Sequence, residues 1–324
     1  MKRYIALFIF VLLPPAAVVA GLCSGSEFMS PFEIVSWLMG GDGGIRAEVL
    51  FRLRLPRVIV AMFAGAALSV SGTAFQSVFR NPLADPFITG VSGGAALGIS
   101  TAVISGMGPA GVMAMSFCGS MLGIVLIYAI SMARGISGSG LILSGVALSF
   151  IFSSSVMLIF AMARSQEVHR IIIWLMGDLS YQGAVPVKWV CLSILTVMAA
   201  ITFFHRHLDI ISLGREFSLT SGLPDSTVRV IIGLASVLAA LSVLLGGIIP
   251  FVGLMVPHLA RIAAGPDHNR LVPLSAVAGG SFLVLADAFS RSVIVPYELP
   301  AGVVTGLCGG VFFLFYVIKN RPEI

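Results

Sequence analysis

The chain has 324 residues, 58% hydrophobic and 10% charged, with a mean hydropathy of +1.05. A soluble domain carries about 25% charged residues, so 19 Lys/Arg and 14 Asp/Glu are too few to coat a chain of this size in water. The same figures exclude disorder, coiled coil and a disulfide-rich secreted scaffold, which need more polar residues or more than four Cys. An all-α integral membrane protein remains, with 1–324 read as one transmembrane domain. The net charge of +5 comes from scattered Lys and Arg, which gives nucleic acid no footing.

A membrane core about 30 Å thick takes about 20 apolar residues of helix. In chain order, charge-free stretches run 5–23, 58–79, 86–133, 135–163, 189–204, 230–260, 271–286 and 299–318. The third holds two spans broken at Gly106-Met107-Gly108-Pro109, and the sixth breaks between Gly246 and Pro250, leaving a short second piece. These stretches predict ten membrane helices, one of them short. Leu22 before Cys23 is not a lipobox residue, and the first helix is expected to be retained rather than cleaved because the rest of the chain keeps crossing the membrane. An even count and the distribution of Lys and Arg place both termini in the cytoplasm.

Residues 24–57 form an outer loop in this topology. Ser30-Pro31-Phe32-Glu33 within it is a capping box with Pro at the first helical position. Phe32, Val35 and Leu38 then share a face until Gly40-Gly41, which predicts a short interfacial helix. Arg46, Arg52, Arg54 and Arg57 cluster at the end of this loop against the charge rule, either as headgroup anchors or with a task of their own. A second outer excursion, 164–188, contains a half-helix too short to cross. The stretches 57–70 and 229–243 echo one another on helices of opposite direction, as an inverted repeat would.

The longest inward loop, 205–226, predicts two short amphipathic helices, one ending at Gly214 and one at Gly222-Leu223-Pro224. Such a pair suits a motor that pushes from outside the membrane. The chain has no motor of its own: Lys2, Lys188 and Lys319 are its only lysines and none completes a phosphate-binding loop. Gly90-Val91-Ser92-Gly93 matches an intramembrane-protease nucleophile motif with His258 as a nominal base, but Gly135-Ile136-Ser137-Gly138 repeats it. A protease would lose activity on Ser92→Ala without any transport defect. His205, His207, His258 and His268 assemble no metal-ligand set, and Cys23, Cys118, Cys191 and Cys308 form no pair. Asp287 and Arg291 are spaced as an i,i+4 pair at the outer end of their span. An ion-coupled secondary carrier is the alternative transport class, and it predicts uptake driven by an ion gradient.

Several words in fixed order resemble one family, the permease subunits of ABC importers for iron(III)-siderophores, haem and vitamin B12. They are Arg54-Leu55-Pro56-Arg57, Gly72 through Gln76, Asn81-Pro82-Leu83-Ala84-Asp85-Pro86, Gly90 through Ala95, Trp174-Leu175-Met176-Gly177, Leu208-Asp209 with Leu213-Gly214, Phe251 through Arg261, and Glu298-Leu299-Pro300 with Gly302 and Thr305. The resemblance covers essentially the whole chain. It implies ten helices, a homodimer, two copies of a separate ATPase subunit, a soluble substrate-binding protein and no cofactor. By the same resemblance, Arg54, Arg57 and Arg291 dock the binding protein, while Leu208, Asp209, Leu213, Gly214, Glu216 and Gly222 contact the ATPase. Asn81, Leu83, Ser137 and Ser139 are the implied cytoplasmic gate. Asp178 stands where Ser or Gly is commoner, and either faces the substrate path or pairs with Arg170.

Overall fold

The computed structural model describes residues 2–134, 138–180, 186–294 and 297–319. Every regular element among them is helical. Helix α1 (Lys2–Cys23) leads to α2 (Pro31–Leu38), whose capping box is formed: Ser30 Oγ accepts the Glu33 N–H at 3.2 Å, and the Glu33 carboxylate accepts the Ser30 N–H at 2.8 Å. Ile34 packs inward with Cys23, Met29 and Leu50, while Phe32, Val35 and Leu38 stay exposed. That division gives α2 the apolar outer face expected of an interfacial helix.

The outer loop is shorter than the sequence predicts. Helix α3 (Gly44–Val49) runs through a π-turn, Leu50–Arg54, into α4 (Leu55–Val78), a continuous 35-residue helix. Pro56 has no N–H for the carbonyl one turn back, and a widened turn takes up the resulting mismatch. The arginine cluster therefore rides on a helix rather than a loop.

Helix α4 is the central post, buried almost continuously from Ala64 to Ser77. Helices α9 (Val187–Phe203), α12 (Asp225–Gly246), α13 (Val252–Ala264) and α14 (His268–Ser290) pack around it. Lipid offers no hydrophobic drive between helices, so small faces and inter-helix hydrogen bonds must hold them together. Gly65 of α4 and Gly279 of α14 meet backbone to backbone: a Cβ on Gly65 would lie 2.2 Å from the Gly279 carbonyl oxygen. A Cβ on Gly72 would fall 1.7 Å from the Gly253 oxygen of α13. Ser71 Oγ donates to Ala235 O at 2.6 Å and Ser242 Oγ to Ala64 O at 3.3 Å. These two bonds run in opposite order along α4 and α12, so the helices that share the sequence echo are antiparallel.

Helices α5 (Val91–Ile104) and α6 (Pro109–Arg134) form a second close pair beside this centre, and α7 (Gly138–Met162) lies outermost, with few of its side chains from 143 to 162 buried. Helix α8 (Ser165–Leu175) is longer than the predicted half-helix and drives Ile171 into a cluster with Ile99, Val103 and Val112. Helix α9 bends by 56° into α10 (His205–Ser212), which is followed by α11 (Arg215–Thr220). Helix α15 (Ala301–Lys319) ends the described chain.

Helices α1, α4, α5, α6, α7, α9, α12, α13, α14 and α15 correspond to the ten predicted spans. The expectation of one short helix needs correction, because α5 is short as well as α13, at 14 and 13 residues. Helices of that length rise about 20 Å, less than the bilayer core. Before α5 the chain makes a 3-10 turn, Pro86–Thr89, capped by Asp85, whose carboxylate accepts the Phe87 N–H at 2.7 Å. Before α13 it leaves the helix between Gly247 and Phe251, where Phe251 adopts φ 67°. Ala84, Thr89 and Ile249 are buried in these breaks. Irregular backbone at membrane depth is tolerable only where protein surrounds it.

Candidate functional site

Two constellations stand at opposite ends of the antiparallel pair α4 and α14. At one end, Asp287 is 1% exposed and receives two guanidinium groups. Arg57 Nε lies 3.0 Å from Asp287 Oδ1, and Arg291 Nε lies 3.0 Å from Oδ2. Arg57 also reaches Glu298 at 2.6 Å and Ser180 Oγ at 3.4 Å. Arg291 donates to the carbonyls of Gly21 and Ser24, both at 2.9 Å. Arg54 donates to the carbonyls of Leu22 and Cys23, at 2.9 and 3.0 Å, and to that of Glu27. The last turn of α1 thus gives carbonyls without a partner inside the helix, at the negative end of the helix dipole, to two buried cations.

The docking reading expected Arg54, Arg57 and Arg291 as charges presented outward. The structure places Arg54 and Arg291 at 6% and 4% exposure, with their donors turned to α1. They tie α1 to α4 and α14. Arg57 also borders open space, in a cavity of about 170 Å³ shared with Asp178, Ser180 and Glu298. Asp178 accepts the Ser180 N–H at 2.8 Å and so shapes its own turn on that cavity wall. The expected i,i+4 pair of Asp287 and Arg291 is present, but Arg57 makes it a triad.

The other end carries the elbow of α10 and α11. Leu208 is fully buried and anchors α10, whereas Leu213 is 67% exposed. Gly214 (φ 127°) and Gly222 (φ 72°) end the two helices in backbone conformations that side chains resist. Glu216 is exposed on α11. Asp209, 38% exposed, has a partner within the chain: its Oδ1 accepts the backbone N–H of His268 at 3.0 Å and lies 2.6 Å from that ring's Nδ1. A cavity of about 130 Å³, lined by Val78, Arg80, Ile211, Leu219 and Leu223, separates the elbow from the end of α4. Of the gate candidates, Asn81 accepts the Leu83 N–H at 2.9 Å in a tight turn that leaves Leu83 45% exposed. Ser137 lies outside the described residues. Ser139 lies in the first turn of α7.

Sequence reasoning missed the partners that join these groups. In the sequence Glu298 stands out only as part of a motif, and His268 only as one of four histidines that assemble no metal-ligand set. Asp267 before His268, an N-cap that accepts the Asn269 N–H at 3.0 Å, was a local signal that His268 opens a helix.

The profile of the FecCD transport family matches residues 11–319. The chain belongs to the FecCD transport family. A cobalamin import system permease, BtuC, of Halobacterium salinarum is 37% identical over 278 residues, covering 83% of this chain and 73% of that protein. The vitamin B12 import system permease BtuC of Citrobacter koseri is 34% identical over 313 residues, covering 94% of this chain and 91% of its own. A solved inward-facing transporter assigned to the metal-chelate ABC type superposes with a TM-score of 0.85 at 27% identity, covering 97% of this chain and 99% of that one. As a FecCD protein the chain is a multi-pass permease of the cell membrane, of the ABC importer type rather than an enzyme. The secondary-carrier reading is not favoured.

Proposed function

We propose that this FecCD chain is the transmembrane subunit through which a bulky metal chelate (an iron-siderophore, haem or cobalamin) enters the cytoplasm. Two copies form the conduit, two ATPase subunits act on the α10–α11 elbows, and a soluble binding protein delivers the chelate at the opposite end. Alternating access at the interface of the two copies moves the cargo. The names of the BtuC relatives and of the metal-chelate transporter support the substrate class.

The observation that carries this reading is the elbow itself. Two short helices project after a 56° bend, glycine-terminated and apolar at their exposed tips, Leu213 and Phe217. A bare connector would not need them. The orientation follows from the same assignment: the elbow and both termini face the cytoplasm, and the Arg57 rim faces out. Docking of the binding protein falls to the rim around Arg57 and Glu298. An acidic lobe there competes with Glu298 for the Arg57 guanidinium, while Arg54 and Arg291 keep the rim in shape from beneath. Such charges speed and orient encounter more than they add affinity. The gate falls to the Asn81–Leu83 turn together with Ser137 and Ser139.

Co-expression with an ABC ATPase and a soluble substrate-binding protein from the same organism tests the assignment. Native mass spectrometry of the detergent-solubilised product is expected to show a complex containing two copies of this chain, two of the ATPase and one binding protein. A chain that purifies alone and monomeric under those conditions contradicts it.

A further inference from the structure

His268, at the start of α14, is 1% exposed and bonded on every side. Its main-chain N–H and its Nδ1 both meet Asp209 Oδ1 on α10, at 3.0 and 2.6 Å. Its Nε2 lies 2.5 Å from Ser77 Oγ in the last turn of α4, and that hydroxyl is 2.8 Å from the Thr73 carbonyl. Facing a carboxylate, Nδ1 carries a proton and donates it. Nε2 then either accepts the Ser77 proton, or donates to Ser77 while the hydroxyl turns to Thr73. Both ring nitrogens are thus bonded in either protonation state, and the imidazole is a rigid strut between three helices.

The order Ser77–His268–Asp209 is that of a hydrolase triad, but Ser77 is 2% exposed and its hydroxyl serves the backbone of its own helix. A nucleophile must reach a substrate. The arrangement suits mechanics instead. Apolar contacts of Leu208 and Ile211 hold α10 in place without fixing its direction, since burial is non-directional. Two hydrogen bonds to a single carboxylate oxygen do fix it, and they lead straight to the ends of α4 and α14, which pack closely against one another.

We propose that His268 is the positioning residue that carries displacement of α10 into α4 and α14, with Asp209 as its input and Ser77 as its output. The proposal rests on the reading of α10–α11 as the ATPase contact. It assigns Asp209 to force transmission within the chain rather than to contact with the ATPase.

The test uses the full complex with its ATPase and binding protein in proteoliposomes, with labelled cobalamin and a labelled ferric hydroxamate as probes. The quantity read is probe taken up per ATP hydrolysed, which loss of folded complex alone does not change. His268→Ala and Ser77→Ala are each expected to lower this ratio at least about fivefold, the lower end of a site-to-site coupling. The double variant should fall no further than His268→Ala, because both cut one path. Should His268→Ala fail to assemble, Ser77→Ala, which removes a single hydroxyl, gives the same reading. An unchanged ratio in an assembled variant, or losses that multiply in the double variant, overturns the proposal. Wild-type vesicles in which the binding protein elicits no ATP hydrolysis overturn the permease reading, and the strut with it.

Discussion

Asp287 has the most to lose of any side chain at the arginine rim. It pairs with Arg291 and shares Arg57 with Glu298, and it is 1% exposed. A buried ion pair contributes little net stability, but removing one partner strands the other charge away from water, at a cost of about 3–5 kcal/mol. Asp287→Ala is therefore expected to lower the thermal midpoint of the purified protein sharply, whereas Arg52→Ala, at an exposed i,i+4 pair with Glu48, leaves it nearly unchanged. Equal midpoints would remove the triad from the account. Glu33 provides a pH-dependent case. The Ser30 N–H, and then Arg46, hold its carboxyl below the usual glutamate range. A depressed folded value means that the cap is fully formed above the ordinary glutamate pKa and is lost as pH falls through the lower folded value. Hydrogen exchange at the Ser30 amide, corrected for its intrinsic rate, should show protection at neutral pH that disappears in acid. Protection indifferent to pH would show that Glu33 does not cap α2. The capping box was legible from four consecutive residues. The Arg57–Asp287 contact was not, because 230 positions separate the partners and no local pattern joins them.

At the scale of elements, the apolar runs were legible because hydropathy and length alone decide what can cross a bilayer. The elbow was equally legible, since Gly214 and Gly222-Leu223-Pro224 stop helices by local chemistry. Two features were hidden. The π-turn that joins α3 to α4 depends on how Pro56 is accommodated, and the 3-10 turn before α5 is as apolar as a span. Helix order within the bundle was also hidden, because it is set by where backbones can approach. Gly72→Ala tests that point: its methyl would fall on the Gly253 carbonyl, so α4 and α13 must separate, at a cost of about 3 kcal/mol. Gly310→Ala, with open space at its Cβ, is the matched control and should change the midpoint little. Similar midpoints for the two variants would contradict the close packing of α4 on α13.

For the whole molecule, the wide exposed face of α7, with Leu143, Phe150, Met157 and Met162 outermost, and that of α15, with Leu307, Val311 and Leu314, meet either lipid or a second copy. The proposed pairing of two copies gives that face a use, because a conduit between them needs no gripping pocket inside either. Function was legible in the sequence only as an ordered set of short words, while the burial of Arg54 and Arg291 required coordinates. The central claim is that this chain does no work on its own and borrows it through the elbow. Uptake of labelled cobalamin and ferric hydroxamate into proteoliposomes measures this directly, comparing the chain alone under an imposed proton or sodium gradient with the chain plus ATPase, binding protein and ATP. Accumulation is expected only in the second case. Uphill accumulation by the chain alone would contradict the account.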